Sequence, residues 1–100
     1  MISETDLAKV ADAVARLEAV LKPDVVRIRW DYGEDWIGMG CLFFRVVLSD
    51  EAAARRLCEV TQPVMRVLGG HAMGFGPYGY VNFRSESECK KLNEAEWMPS

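Results

Sequence analysis

Val25-Val26-Arg27-Ile28-Arg29-Trp30-Asp31-Tyr32 and Cys41-Leu42-Phe43-Phe44-Arg45-Val46-Val47-Leu48 are the two stretches whose reading decides the fold. Successive side chains of a β-strand point to opposite faces, so each run divides into two sets. In the first, Val26, Ile28, Trp30 and Tyr32 share one face, and Val25, Arg27, Arg29 and Asp31 share the other. In the second, Leu42, Phe44, Val46 and Leu48 oppose Cys41, Phe43, Arg45 and Val47. The alternation predicts a sheet with one oily face and a second face carrying arginines among aromatic rings. Between the runs, residues 33–40 contain three glycines and two acids, which predicts a hairpin with a longer loop than the minimal two-residue turn.

Working outward, Leu7, Val10, Val14, Leu17 and Leu21 recur at spacings of three and four, one stripe of a helix over residues 4–21. Ser3 with Asp6 offers a cap at its start. Pro23 ends it, because the residue before a proline is pushed out of helical geometry. After the second strand Ser49 is an N-cap, followed by Asp50 and Glu51 in the first turn, where negative charge complements the helix dipole. The stripe expected there is Ala54, Leu57, Thr61, Val64 and Leu68, with Cys58 and Met65 beside it and Pro63 kinking or dividing the helix. Gly69-Gly70 closes it. Residues 80–84 alternate again, Val81 and Phe83 against Tyr80, Asn82 and Arg84, giving a third strand. Ser85 and Glu88 then form a capping box for a short last helix carrying Cys89 and Leu92 and ending near Trp97.

The resulting order, αββαβα, is an α+β fold in a single domain over residues 1–100: a three-stranded mixed or antiparallel sheet with helices mainly on one face. A right-handed crossover makes strands two and three parallel. With strand three beside strand one, the sheet order would be 2-1-3. Arg27, Arg29, Phe43, Arg45, Tyr80, Asn82 and Arg84 then gather on the face opposite the helices, partly covered by the last helix.

Composition bounds the function classes. Half the residues are apolar and 27% charged, ordinary for a folded domain of 100 residues. The net charge of -3 leaves the molecule as a whole without the phosphate-neutralising charge that dominates nucleic-acid affinity, so such a role needs a local basic patch. Cys41, Cys58 and Cys89 are odd in number and have no zinc or redox spacing, which reads as free thiols in a reducing cytoplasm. Met1-Ile2-Ser3-Glu4 lacks the basic flank and apolar stretch of a leader, and no run approaches the roughly 20 apolar residues of a membrane span, so a cytoplasmic location is expected.

Chemistry-bearing patterns are sparse. Gly74-Phe75-Gly76-Pro77-Tyr78-Gly79 matches G-x-G-x-x-G by spacing, but it follows a helix and precedes a strand, the reverse of a dinucleotide site, and Pro77 removes an amide. Asp31, Glu34 and Asp35 cluster at the hairpin without a calcium-loop pattern, and read as a solvated tip with Trp36 folded back onto the sheet as its anchor. His71 is the only histidine, so no multi-histidine metal site exists, and Cys58 and Cys89 sit on apparent core stripes. No catalytic residue, metal or cofactor is assigned. Met39 and Met73 are expected in exposed loops.

Asp35-Trp36-Ile37-Gly38, the run from Phe43 to Ala52 and the run from Asn82 to Glu88 resemble segments of a group of small uncharacterised bacterial proteins. Met39-Gly40 here stands where that group usually has aspartate and proline, and Val81 where it usually has an aromatic. The resemblance implies a shared fold and a shared binding feature, with Asp35, Trp36, Arg45, Asn82 and Arg84 as its candidates, and carries no activity. The expectation is a cytoplasmic protein-interaction module, homodimeric or paired with another protein, with an accessory or antitoxin-like role on a mobile element. The alternative is a binder of single-stranded RNA or DNA through the arginine and aromatic face.

Overall fold

The computed structural model describes residues 3–74 and 76–99. Met1, Ile2, Phe75 and Ser100 lie outside the described residues, and with them the first two positions read for a leader and the second position of the glycine run. The elements are α1 (Glu4–Val20), β1 (Val25–Glu34), β2 (Gly40–Leu48), α2 (Asp50–Arg55), α3 (Leu57–Leu68), β3 (Tyr78–Ser85), α4 (Glu86–Leu92) and a 3-10 turn at Ala95–Trp97. This is the expected α+β order. β1 and β2 form the antiparallel hairpin, and β3 runs parallel to β2 after the crossover through α2 and α3.

The sheet order is β1-β2-β3, so β3 lies beside strand two and not beside strand one. Burial explains why β2 is central. Of its nine residues Cys41, Leu42, Phe44, Val46, Val47 and Leu48 are buried, whereas β1 places charged or polar groups at four of its last six positions and tolerates an edge. On the helix side, Ile28, Leu42, Phe44, Val46 and Leu48 close over Val10, Val14 and Leu17 of α1 and Val60, Val64 and Leu68 of α3.

Two local departures from strict periodicity re-aim side chains. A register shift between Val25 and Arg27 puts one extra residue in β1, which turns Val25 into the core and leaves Val26 exposed. Val25 therefore leaves the arginine face expected for it. In the helical crossover, the break falls at Arg56 and not at Pro63, which lies inside α3. Arg56 has φ -131 and ψ 30, and its guanidinium donates to Asp24 and Glu51, tying the break to the turn before β1. That pairing holds the Asp24 carboxyl below its usual range. A skipped helical residue resets the phase, so the buried stripe is Val60, Val64 and Leu68. Ala54, Leu57, Cys58 and Met65 face out. Cys58 is thus an exposed thiol and not a core residue. Met73 also departs from expectation, packing half-buried against the core.

The other ends follow their caps. Ser3 accepts from the Asp6 amide, Ser49 from Ala52, and Ser85 with Glu88 forms the reciprocal box. Ser87 at the start of α4 donates to Asp50 at the start of α2, joining the two helix N-termini. β3 enters through Gly79, which exchanges two backbone hydrogen bonds with Gly70. A Cβ at Gly79 would overlap the Leu68 carbonyl oxygen and press on Phe44. Gly79→Ala is expected to destabilise the fold by roughly 3 kcal/mol, because neither backbone nor a fully buried ring can yield. Urea denaturation checks this, and an unchanged midpoint would contradict it.

Candidate functional site: the second face of the sheet

The second face carries Arg27, Arg29, Asp31 and Gly33 from β1, Cys41, Phe43, Arg45 and Val47 from β2, and Tyr78, Tyr80, Asn82 and Arg84 from β3, as the paired registers require. It falls into two halves with different fates.

The first half is covered by the chain's own end. α4 is stopped by Asn93 in the left-handed conformation (φ 50), which turns residues 94–98 back across the strands. This C-terminal strap inserts Trp97 against Val47 and Cys89 in a second small core, with Trp97 5% exposed. Arg27 donates to the Trp97 carbonyl at 2.9 and 3.3 Å. Arg29 donates from Nη1 to the carbonyls of Ala95 (2.9 Å) and Met98 (2.7 Å). Arg84 lays its guanidinium 4.4 Å from the centroid of a Trp97 ring, a cation–π contact. Its Nη1 is 2.8 Å from a Glu94 carboxylate oxygen, close enough for an ion pair but off the line of a hydrogen bond. Three of the four arginines are thus engaged by the strap.

Register gives a reason for this arrangement. Arg29 and Arg45 stand directly opposite each other on the β1–β2 ladder, where like charges repel. The repulsion is relieved by sending the two guanidiniums apart. Arg29 turns to the strap carbonyls, and Arg45 turns to Asp31 at 2.7 Å. Arg45 is the one arginine of the face with no bond to the strap, and it is neutralised by its neighbour.

The second half is open, and it is aromatic. Phe43 and Tyr80 stack at 5.7 Å between centroids, Tyr80 tilts against Tyr78 at 4.7 Å and against Trp36 at 6.3 Å, and His71 meets Tyr78 edge-on at 5.2 Å. Trp36 touches the row but is not buried by it. Its exposure is 84%, so it does not anchor the hairpin tip as the sequence suggested. The tip is ordered by Asp35 instead, whose Oδ1 accepts from the amides of Ile37 and Met39, while Gly38 adopts φ 80. Ile37 and Met39 are left 68% and 61% exposed beside Trp36. Asn82 is exposed at the boundary between the halves.

The titratable groups here are not arranged for nucleophilic chemistry. Desolvation, then the Asp35 and Asp31 carboxylates, push the Cys41 thiol up. Desolvation does the same to Cys89. Both thiols are held protonated and unreactive. The Tyr80 hydroxyl is raised chiefly by desolvation, with Asp35 and Cys41 adding to it. Asp31 and Asp35 lie near Cys41, the Asp35 Oδ1 is taken by its turn, and His71 packs edge-on against Tyr78. Among the described residues no three His, Cys, Asp or Glu side chains form a metal-ligand group. A surface furrow of about 310 Å³ between α1 and α3 is lined by Asp12, Ala13, Arg16, Leu17, Val20 and Val67 and holds no such cluster either. No helix among the described residues is long and apolar enough to cross a membrane.

The sequence picked out Arg27, Arg29, Phe43, Arg45, Tyr80, Asn82, Arg84, Asp35 and Trp36, and the structure brings all of them to this face or its hairpin. It divides them between a clamp and an open surface. Tyr78, Ile37 and His71 belong to the open surface as well; for Tyr78, an extension of the Tyr80 alternation by two residues was the available signal. Comparison with protein-family models, with curated proteins and with solved structures finds no match for this chain.

If the arginines clamp the strap, removing its anchor should open it. Trp97→Ala is expected to cost about 3 kcal/mol and to unveil Cys89. An aromatic disulfide reagent should modify Cys58 alone in the native protein, and Cys58 together with Cys89 in the variant. Equal labelling of both proteins would show that the strap does not cover this half.

Proposed function

We propose that this chain is a homodimeric protein-interaction module that meets a partner protein through the open aromatic half of the sheet's second face and the hairpin tip beside it. One observation carries the reading. Trp36, Ile37, Met39 and Tyr78 are exposed side by side, while Arg27, Arg29 and Arg84 are turned to the strap. An exposed cluster of aromatic and apolar side chains with few free charges has the composition of an interface core. A setting as an accessory or antitoxin-like partner in a bacterial operon or mobile cassette is read from the size and type of the domain alone.

The same row favours a second reading, because Phe43 and Tyr80 are a stacking platform on which single-stranded bases could lie. Charge argues against it. Glu34, Asp35 and Asp31 border the platform, Arg45 is already paired, and the chain's net charge is -3.

Salt separates the two. Phosphate binding weakens steeply as counterions are added, whereas apolar association does not. Light scattering at low and high salt, together with titration of a single-stranded oligouridylate followed by Trp fluorescence, tests the choice. The expected result is a dimer mass in both salts and no saturable oligonucleotide binding. A monomer that binds the oligonucleotide at low salt and releases it at high salt would overturn the proposal.

A further inference from the structure

The two edges of the sheet are managed differently. In a regular ladder, alternate residues turn both backbone groups toward the neighbouring strand and the rest turn theirs away. Asp35 donates to the Met39 carbonyl, so the odd-numbered residues of β1 face β2 and Ile28, Trp30 and Tyr32 face outward. The Ile28 amide confirms the phase, since it donates to the Glu18 carboxylate of α1 at 2.8 Å. On the far edge, Gly79 is occupied by Gly70 and the Ser85 amide by Glu88, leaving only Val81 and Phe83 between them. With Trp30, Tyr32 and, by the same phase, Glu34 turned outward, the β1 edge is the longer open one, and Glu18 is a side-chain guard at one end of it.

From this pattern we propose that a second copy of the chain pairs along β1, antiparallel and two-fold symmetric, giving a continuous six-stranded sheet; this locates the self-association that the proposed function rests on. A strand edge is self-complementary under a two-fold axis, and the charges choose the register. An axis at Trp30 sets Ile28 opposite Tyr32 of the second copy, and Arg29 opposite Asp31 of the second copy, twice over. Those last pairs fall at non-hydrogen-bonded positions, where side chains approach most closely. Both groups have capacity left. Arg29 uses only Nη1 on the strap, and Asp31 uses only Oδ2 on Arg45. An axis one residue along, at Asp31, would instead set two Asp31 carboxylates against each other. The flank is open to approach, since Ala15, Glu18, Ala19, Lys22 and Val26 line a shallow furrow between α1 and this edge. In the paired state the second copy's Tyr32 carbonyl takes the Ile28 amide, and Glu18 is displaced into solvent.

Dissociation constants from sedimentation equilibrium test this with three variants. Tyr32→Pro removes an outward amide that makes no bond within β1–β2, at a position where an edge strand accepts proline. It is expected to weaken the dimer at least tenfold, with circular dichroism confirming the fold. Glu18→Ala removes the competing acceptor and is expected to tighten the dimer several-fold; should Tyr32→Pro not fold, this variant decides alone. Trp36→Ser, on the aromatic half, should leave the constant unchanged. A dimer that ignores Tyr32→Pro and Glu18→Ala but falls apart in Trp36→Ser overturns the edge and leaves the interaction module standing. A wild type and Glu18→Ala that are both monomeric at every concentration overturn the edge and the homodimer together.

Discussion

The guanidiniums of Arg27 and Arg29 on the carbonyls of the C-terminal strap are the interaction on which the rest of this face depends. A 3-10 turn of three residues has little stability of its own, and its carbonyls would otherwise need water. Hydrogen bonds from a charged donor to those carbonyls are stronger than neutral ones, and a guanidinium can serve several acceptors at once. With the carbonyls held, Trp97 can close over Val47 of the sheet and Cys89 of α4. The strap also decides what the face can offer a ligand. Positive charge that reads in sequence as a patch for anions is directed inward to the chain's own backbone.

Much of the fold was legible because β2 and β3 are strictly periodic and α1, α2 and α4 carry explicit caps. Ser3, Ser49 and Ser85 start α1, α2 and α4 where their hydroxyls predict, and the core sets of β2 and β3 follow from alternation alone. Three features were not read from the sequence, each for a reason. The extra residue at Val25 and Val26 leaves no trace in composition, since both are valines. The helix break at Arg56 depends on a side chain reaching Asp24, 32 residues earlier, a tertiary contact that overrides the local proline signal at Pro63. Strand order depends on which strand is buried on both faces. The apolar character of Cys41 and Val47 pointed to β2, while the arginines of β1 pointed to an edge.

The site was legible as a set of residues and not as a division of labour. Alternation put Arg27, Arg29, Arg45 and Arg84 on one face, but nothing local says whether an arginine meets a phosphate, a carboxylate or a backbone carbonyl. That choice was made by Asn93, whose left-handed turn sends the strap back across the strands. What is left uncovered is the aromatic half, where Trp36 and Tyr78 remain accessible, and the β1 edge beside Glu18. These two surfaces have different chemistries. The first offers rings and apolar tips to side chains, and the second offers backbone donors and acceptors to another strand.

The most direct test of the clamp is amide hydrogen exchange, resolved by residue, at Trp97 and Met98. Their amides donate to Glu94 and Ala95 within the strap and sit over the arginines. The account predicts slow exchange at both in the native protein, and fast exchange in Arg29→Ala with the Val46 amide of the core unchanged. Exchange at Trp97 and Met98 as fast as in an unstructured peptide, before any substitution, would contradict it and return Arg27 and Arg29 to the list of groups free to bind something else.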